Sequence, residues 1–311
     1  MKKILVFILV LSVLLTACGS ADVEETSEYV KENGKITVAY PAPGSTSINL
    51  PESIPAEYLE TLVNRLNSTQ YTCAMYYIDL ETGFTISYNE NREFAAASLI
   101  KAPYLFYILD MIKNGELSLD DELVYKKSKH YFAGTGNIKN MPDGSKLKLS
   151  KIIEEMAIES DNTGFKMLYT EIMSVYQFHE KAYKDFGAKY YSGLYGNICQ
   201  ARGVAKMFED VYFKYKSGDE LYTWFMDLMV RANFNDFIKG GLPVVDGECI
   251  YEVAHKYGED AKAYNDAAIV FYEDRPYLLV ILTDYLNIRT KTFMHKVSAD
   301  VLKIHEYICN N

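Results

Sequence analysis

Strand-like runs at both ends of this chain enclose a long helical middle, and few folds accommodate that order. Residues 72 to 79 (TCAMYYID) and 84 to 89 (FTISYN) read as β-strands joined by the turn Glu81-Thr82-Gly83. Further strands are expected at 249 to 257 (CIYEVAHKY), 263 to 271 (AYNDAAIVF) and 277 to 284 (YLLVILTD). Between the two sets, 117 to 215 is mostly helical, with periodic segments near 150 to 158, 161 to 173, 175 to 186 and 201 to 215. Gly134-Thr135-Gly136 and Pro142-Asp143-Gly144 mark loops among them. Helices are also expected at 56 to 67, 219 to 231 and 292 to 308. This order predicts an α/β (α+β) chain: one antiparallel sheet built from both chain ends, with flanking helices and an inserted all-helical subdomain. The sheet subdomain takes 55 to 100 and 216 to 311, the helical subdomain 101 to 215, and a cleft suited to a site runs between them.

The first 17 residues form a secretory signal, with Lys2 and Lys3 ahead of an apolar run too short to span a membrane. Leu15-Thr16-Ala17-Cys18 resembles the bacterial lipobox, which implies cleavage before Cys18 and lipid on its thiol. Residues 18 to 54 are polar and acidic with Pro41, Pro43, Gly44 and Pro51, and read as a tether. Within them, Lys35 to Tyr40 is compatible with a short strand. Losing the signal leaves 30 basic against 42 acidic residues, a net charge of −12. Such a surface repels nucleic acid and anionic headgroups, so attachment to the membrane would rest on the lipid and the location would be extracytoplasmic. Cys73, Cys199, Cys249 and Cys309 have no metal-like spacing, and the sequence fixes no pairing among them. The five histidines form no cluster, so neither metal nor cofactor is expected; His255 reads as a packing residue.

Residues 94 to 114, FAAASLIKAPYLFYILDMIKN, carry the chemistry. A small, apolar lead-in delivers Ser98 to the first turn of a long apolar helix, and Lys101 follows one turn later on the same face. A serine alcohol becomes nucleophilic when a neighbouring base takes its proton, and a lysine is such a base once desolvation or a second cation lowers its pKa. Free N–H groups at the helix start also face the place where charge develops in acyl transfer. Ser145 and Lys148 have the same spacing, but in the polar run PDGSKLKLS nothing buries or aims them.

Two further segments complete a candidate site. Ser160-Asp161-Asn162 sits between two helical patterns; a helix cap explains it, or Ser160 relays a proton to a leaving group while Asn162 holds an acyl side chain. Lys256-Tyr257-Gly258, placed at a strand end, is preferred over Lys216-Ser217-Gly218, which no strand follows.

In this order Ser-Leu-Ile-Lys, Ser-Asp-Asn and Lys-Tyr-Gly resemble the class A β-lactamases and related penicillin-binding proteins. The flanks AAAS, PDGSKLKL, ESDNT and EDRPYLLVIL share the likeness, which covers about 55 to 311. The resemblance implies that Ser98 is acylated, Lys101 is its base, Ser160 relays protons and Lys256 supplies positive charge. It implies substrate contacts at Asn162, Tyr257, Gly258 and Glu259, with the N–H groups of Ser98 and Glu259 as the oxyanion hole. A monomer acting on a β-lactam or a cell-wall peptide is the expectation. Two features depart from the family. No glutamate lies between Glu180 and Glu209, where class A enzymes carry one that activates water, and Asp185 is the lone carboxylate there. Tyr257 stands where the family has threonine or serine, and with Asp266 ten residues beyond Lys256 no arginine compensates. Arg275 and Arg289 read as surface residues.

Overall fold

A computed structural model of the chain describes residues 34–41, 48, 50–68, 72–192, 195–234, 237–284 and 288–311. The expected signal, Cys18 and most of the tether lie outside the described residues. A six-stranded antiparallel sheet joins the two ends of the chain. Its strands are β1 (Ile36–Ala39), β2 (Cys73–Asp79), β3 (Thr85–Tyr88), β4 (Glu252–Asp260), β5 (Ala263–Phe271) and β6 (Tyr277–Thr283), in the order β1-β3-β2-β6-β5-β4.

Side chains alternate across a strand, so a sheet covered on both faces needs apolar residues at every position. Strands β2 and β6 meet that need. Leu278, Val280 and Leu282 enter one core with Ala74 and Ile78, while Leu279 and Ile281 enter the other with Met75 and Tyr77. The second core is closed by α1 (Ala56–Ser68) and α8 (Ile288–Asn310), which pack on each other. The first is closed by α2 (Lys101–Lys113), α3 (Leu149–Ile158), α4 (Asn162–Glu171), α5 (Val175–Phe186), α6 (Ala201–Lys216) and α7 (Glu220–Val230). Helix α2 is buried without interruption from Lys101 to Leu109, as expected of a helix apolar all round at the centre of a domain.

Three details differ from the sequence reading. Residues Ile36–Ala39 pair with β3, so part of the expected tether is built into the sheet. Helix α7 gives Tyr222, Phe225 and Met226 to the core of the helical side, which therefore extends past residue 215. Arg275 is buried, because its partner lies far away in sequence: its Nε and a terminal nitrogen hold Asp79 Oδ2 at 2.8 and 2.7 Å. Arg289 is exposed. Cys199, Cys249 and Cys309 are free thiols.

Asp79 also caps its own turn, accepting the N–H groups of Glu81 (3.0 Å) and Thr82 (3.3 Å). Arg275 in turn donates to the Ile308 carbonyl at 3.2 Å and accepts from His305 Nε2 at 2.8 Å, so one buried ion pair ties β2 to the C-terminal helix. Burial pushes His305 down to about 4, and its Nδ1 accepts from the Tyr77 hydroxyl at 2.7 Å. Removing one partner of a buried pair leaves the other charge uncompensated, at a cost of about 3–5 kcal/mol. Asp79→Ala should lose stability on that scale in urea denaturation; a loss under about 1 kcal/mol contradicts a load shared across this pair.

Candidate active site

The chain reaches Ser98 through a strained and heavily pinned lead-in. Phe94–Ala95 pairs with Ile198–Cys199, and the Ala96 N–H donates to the Asn197 carbonyl at 2.9 Å. Asn265 on β5 extends its amide Nδ2 to the carbonyls of Ala95 (2.7 Å) and Ala96 (3.3 Å), while its Oδ1 accepts from the Thr283 N–H at 3.0 Å. Ala97 then takes φ +48°, a left-handed conformation that costs a side-chain-bearing residue about 1–3 kcal/mol and persists where the surroundings impose it. The result is a 3₁₀ turn over Ala97–Ile100, with Ser98 half-buried and Lys101 opening α2.

Lys101 is 2% exposed. Its Nζ lies 3.0 Å from Ser98 Oγ and 3.2 Å from Ser160 Oγ, and 2.5 Å from both the Ser160 carbonyl and Asn162 Oδ1. The last two oxygens can only accept, so two N–H bonds are committed to them. In the neutral amine the remaining direction is a lone pair facing the hydroxyls. Burial lowers Lys101 to about 7, with the Asp161 carboxylate partly opposing, so a large fraction of the amine is free base at neutral pH. A basic nitrogen within hydrogen-bond reach of a hydroxyl is the arrangement that makes serine a nucleophile.

Ser160 reaches this point because it too is left-handed, with φ +55°. The helix cap is Asp161, which accepts from the Gly164 N–H at 2.7 Å and the Ile138 N–H at 2.9 Å. That frees the Ser160 side chain for the cleft and turns its carbonyl to Lys101 and to the Thr135 hydroxyl (2.7 Å). Asn162 donates to the Ala133 carbonyl at 2.8 Å, and the loop around Thr135 lies so close that a Cβ on Gly136 would fall 2.1 Å from the Asp161 carboxylate.

The third segment comes from the outer strand of the sheet. Lys256 lies in the middle of β4 and not at a strand end, because the polar residues Glu259 and Asp260 continue the hairpin out into solvent. Its Nζ donates to Ser160 Oγ at 3.0 Å and to the Tyr257 carbonyl at 2.8 Å. Burial pulls Lys256 well below the ordinary lysine range, the neighbouring Lys101 pulls it further, and Asp266 opposes. Gly258 lets β4 press against the serine turn: a Cβ there would sit 2.4 Å from the Ala96 carbonyl and 2.7 Å from the Leu99 nitrogen.

Glu259 is positioned by the pairing pattern. Its ladder partner Tyr264 directs both its N–H (3.2 Å) and its carbonyl (2.6 Å) to the Thr283 hydroxyl on β6. Antiparallel residues alternate the side to which they turn their backbone groups. Glu259 and Tyr257 therefore face the outer edge of β4, where the Tyr257 carbonyl already meets Lys256. The Glu259 N–H is thus on the edge that borders the Ser98 turn, while its side chain is exposed.

Ser98, Lys101, Ser160, Asn162 and Lys256 are therefore assembled into one hydrogen-bonded group. The two rival motifs lie elsewhere: Lys148 pairs with Asp120 on the surface, and Lys216 pairs with Glu81 at the end of α6. His255 is buried with Nδ1 at 3.0 Å from Asp266. Asp185 accepts from the Tyr107 hydroxyl at 2.9 Å, and among the described residues no carboxylate hydrogen-bonds Ser98 or Lys101. No cluster of His, Cys, Asp and Glu among the described residues could hold a metal ion. Asn265 was invisible to motif reasoning; its one signal is an amide in the midst of an apolar strand, AYNDAAIVF.

The sequence model of the beta-lactamase enzyme family matches residues 55–305. No curated protein matches the chain. Among solved structures, PBP-A is similar over 83% of this chain and 100% of its own, with a TM-score of 0.73 and 19% identity. A beta-lactamase from Sphaerobacter thermophilus matches over 82% of this chain and 99% of its own (TM-score 0.71, 17% identity). One from Chitinophaga pinensis matches over 80% and 99% (TM-score 0.71, 19% identity). At these identities the structural likeness speaks to the fold alone.

Placing a methyl group at residue 258 should push the Ser98 turn away from β4. Displacement of a reacting group by about 1 Å can cost 10²-fold in rate. Gly258→Ala should slow acylation of Ser98 by about that factor; an unchanged rate in a time course of intact mass contradicts the close packing.

Proposed function

The chain belongs to the beta-lactamase enzyme family and has the fold of its penicillin-binding serine hydrolases, and from that premise we propose that it forms an acyl-enzyme on Ser98 and releases it slowly. The observation that carries this reading is the Lys101 nitrogen 3.0 Å from Ser98 Oγ, buried and lowered to about 7. Neutral Lys101 takes the hydroxyl proton as Oγ bonds to the carbonyl carbon of an amide or ester. The oxyanion forms beside the N–H groups of Ser98 and Glu259. Its collapse breaks the bond to the leaving group, which takes a proton from the Ser160 hydroxyl, and a lysine ammonium restores that proton.

The second half of the reaction needs a base for water. Asp185 is committed to Tyr107, and a missing general base costs about 10²–10⁴-fold. Acylation without efficient release also suits a penicillin-binding or peptidoglycan-sensing protein, and this same observation favours that second reading. The substrate class is β-lactams or the related amides and esters of cell-wall peptides. A mutant of PBP-A has been solved as an acyl-enzyme complex with penicillin G, which supports the same chemistry here. The signal at 1 to 17 and Cys18 support secretion and attachment by lipid outside the cytoplasmic membrane.

A fluorescent penicillin should label the protein and persist on it for a long time. Ser98→Ala should abolish the label, and Lys101→Ala should slow its appearance by at least about tenfold. Equal labelling of wild type and Ser98→Ala ends the acyl-enzyme reading, and prompt loss of the wild-type label ends the claim of slow release.

A further inference from the structure

Tyr257 does not extend away from the site. Its ring turns back over Lys256, with Nζ 4.2 Å from the ring centroid, and its other side rests on Phe234 at 4.5 Å between centroids, the planes 32° apart. Its phenol lies near Ser160. Ser160 Oγ lies within hydrogen-bond reach of both lysine nitrogens, 3.2 Å from Lys101 and 3.0 Å from Lys256.

This arrangement closes Lys256 to anions. An ammonium has three donor directions. Ser160 Oγ takes one at 3.0 Å, the Tyr257 carbonyl a second at 2.8 Å, and the Tyr257 ring covers the third. The nitrogen sits in a residue only 2% exposed, so a carboxylate could reach it only by expelling the ring. The surrounding charge acts in the same sense: the carboxylates of Glu259, Glu159 and Asp266 all lie within the electrostatic reach of the phenol. Asp266 is fixed there by His255 and by the Ile238 N–H at 3.1 Å. A negatively charged substituent arriving beside Tyr257 would meet three like charges, and the nearby Lys291 ammonium is engaged over the Phe234 and Phe237 rings, 5.1 and 5.9 Å from their centroids.

We propose that Tyr257 is a specificity-determining residue that makes this site favour acyl donors with no carboxylate beside the scissile carbonyl, namely neutral esters and amides. The proposal rests on the acyl-enzyme reading of Ser98 and names its substrate class. The ring shields Lys256, so the leaving-group side of the site presents an aromatic wall in place of a cation. A neutral ester or amide loses nothing on entering it.

Benzylpenicillin and its methyl ester share one acyl part and one reactive amide and differ in that carboxylate. Acylation rate constants for both are measured by intact mass, each divided by the rate constant of its own hydroxide-catalysed hydrolysis. The wild-type protein should prefer the methyl ester by at least about tenfold, since unmatched like charges cost several kcal/mol. Tyr257→Thr, which uncovers Lys256, should erase or reverse that preference, and Tyr257→Phe, which keeps the ring, should retain it. A wild-type preference for the free acid, or the same ratio in wild type and Tyr257→Thr, overturns the proposal while leaving the acyl-enzyme reading standing. Failure of both compounds to modify Ser98 overturns both.

Discussion

An amine held out of water beside an alcohol is the constraint on which the rest of this structure depends. Lys101 occupies the first turn of a helix buried on all sides, and hydrating its charge is the term that burial removes. Keeping it there requires acceptors for its N–H groups, and the chain supplies them from the start of α4 and the turn before it, more than fifty residues away: Asn162 Oδ1 and the Ser160 carbonyl. Two strained backbone positions, Ala97 and Ser160, are the local cost of bringing hydroxyl and carbonyl to the same nitrogen.

The sheet contributes closeness more than chemistry. Its outer strand carries Lys256 to the far side of Ser160, and the missing side chain at Gly258 lets that strand touch the serine turn. Asn265, the residue across the ladder from Gly258, then fastens the lead-in from the neighbouring strand. Helical half and sheet half are thus locked at one point, with two lysines converging on a single serine hydroxyl. Two ammonium ions so close in a dry site disfavour each other, so the assembly favours the base form that acyl transfer uses.

Much of this was legible in the sequence, for reasons the structure makes plain. Strands covered on both faces must be continuously apolar, so YLLVILT in β6 announced itself, and the helices of the middle segment carried their 3.6-residue period. The reactive residues stood out by context: the serine and lysine at 98 and 101 lie one turn apart in an apolar run, whereas Ser145 and Lys148 share that spacing in a polar one. What escaped reading depended on partners remote along the chain. Arg275 looked like a surface residue because Asp79 lies 196 positions away. The first strand, only four residues long, was legible as a possible short strand at Lys35 to Tyr40, but its place in the sheet comes from pairing with β3. Tyr257 looked too long to serve the site, and neither Lys256 beneath its ring nor Phe234 behind it could be foreseen from spacing.

The nucleophilicity of Ser98 depends on the ionisation of Lys101. Carbon-13 NMR of protein labelled at the lysine ε-carbon, with the Lys101 signal assigned by its loss in Lys101→Ala, reports that ionisation directly. The structure predicts a titration midpoint of about 7. A midpoint in the ordinary lysine range, about 10.4, would leave Ser98 without its base and contradict the mechanism built on it.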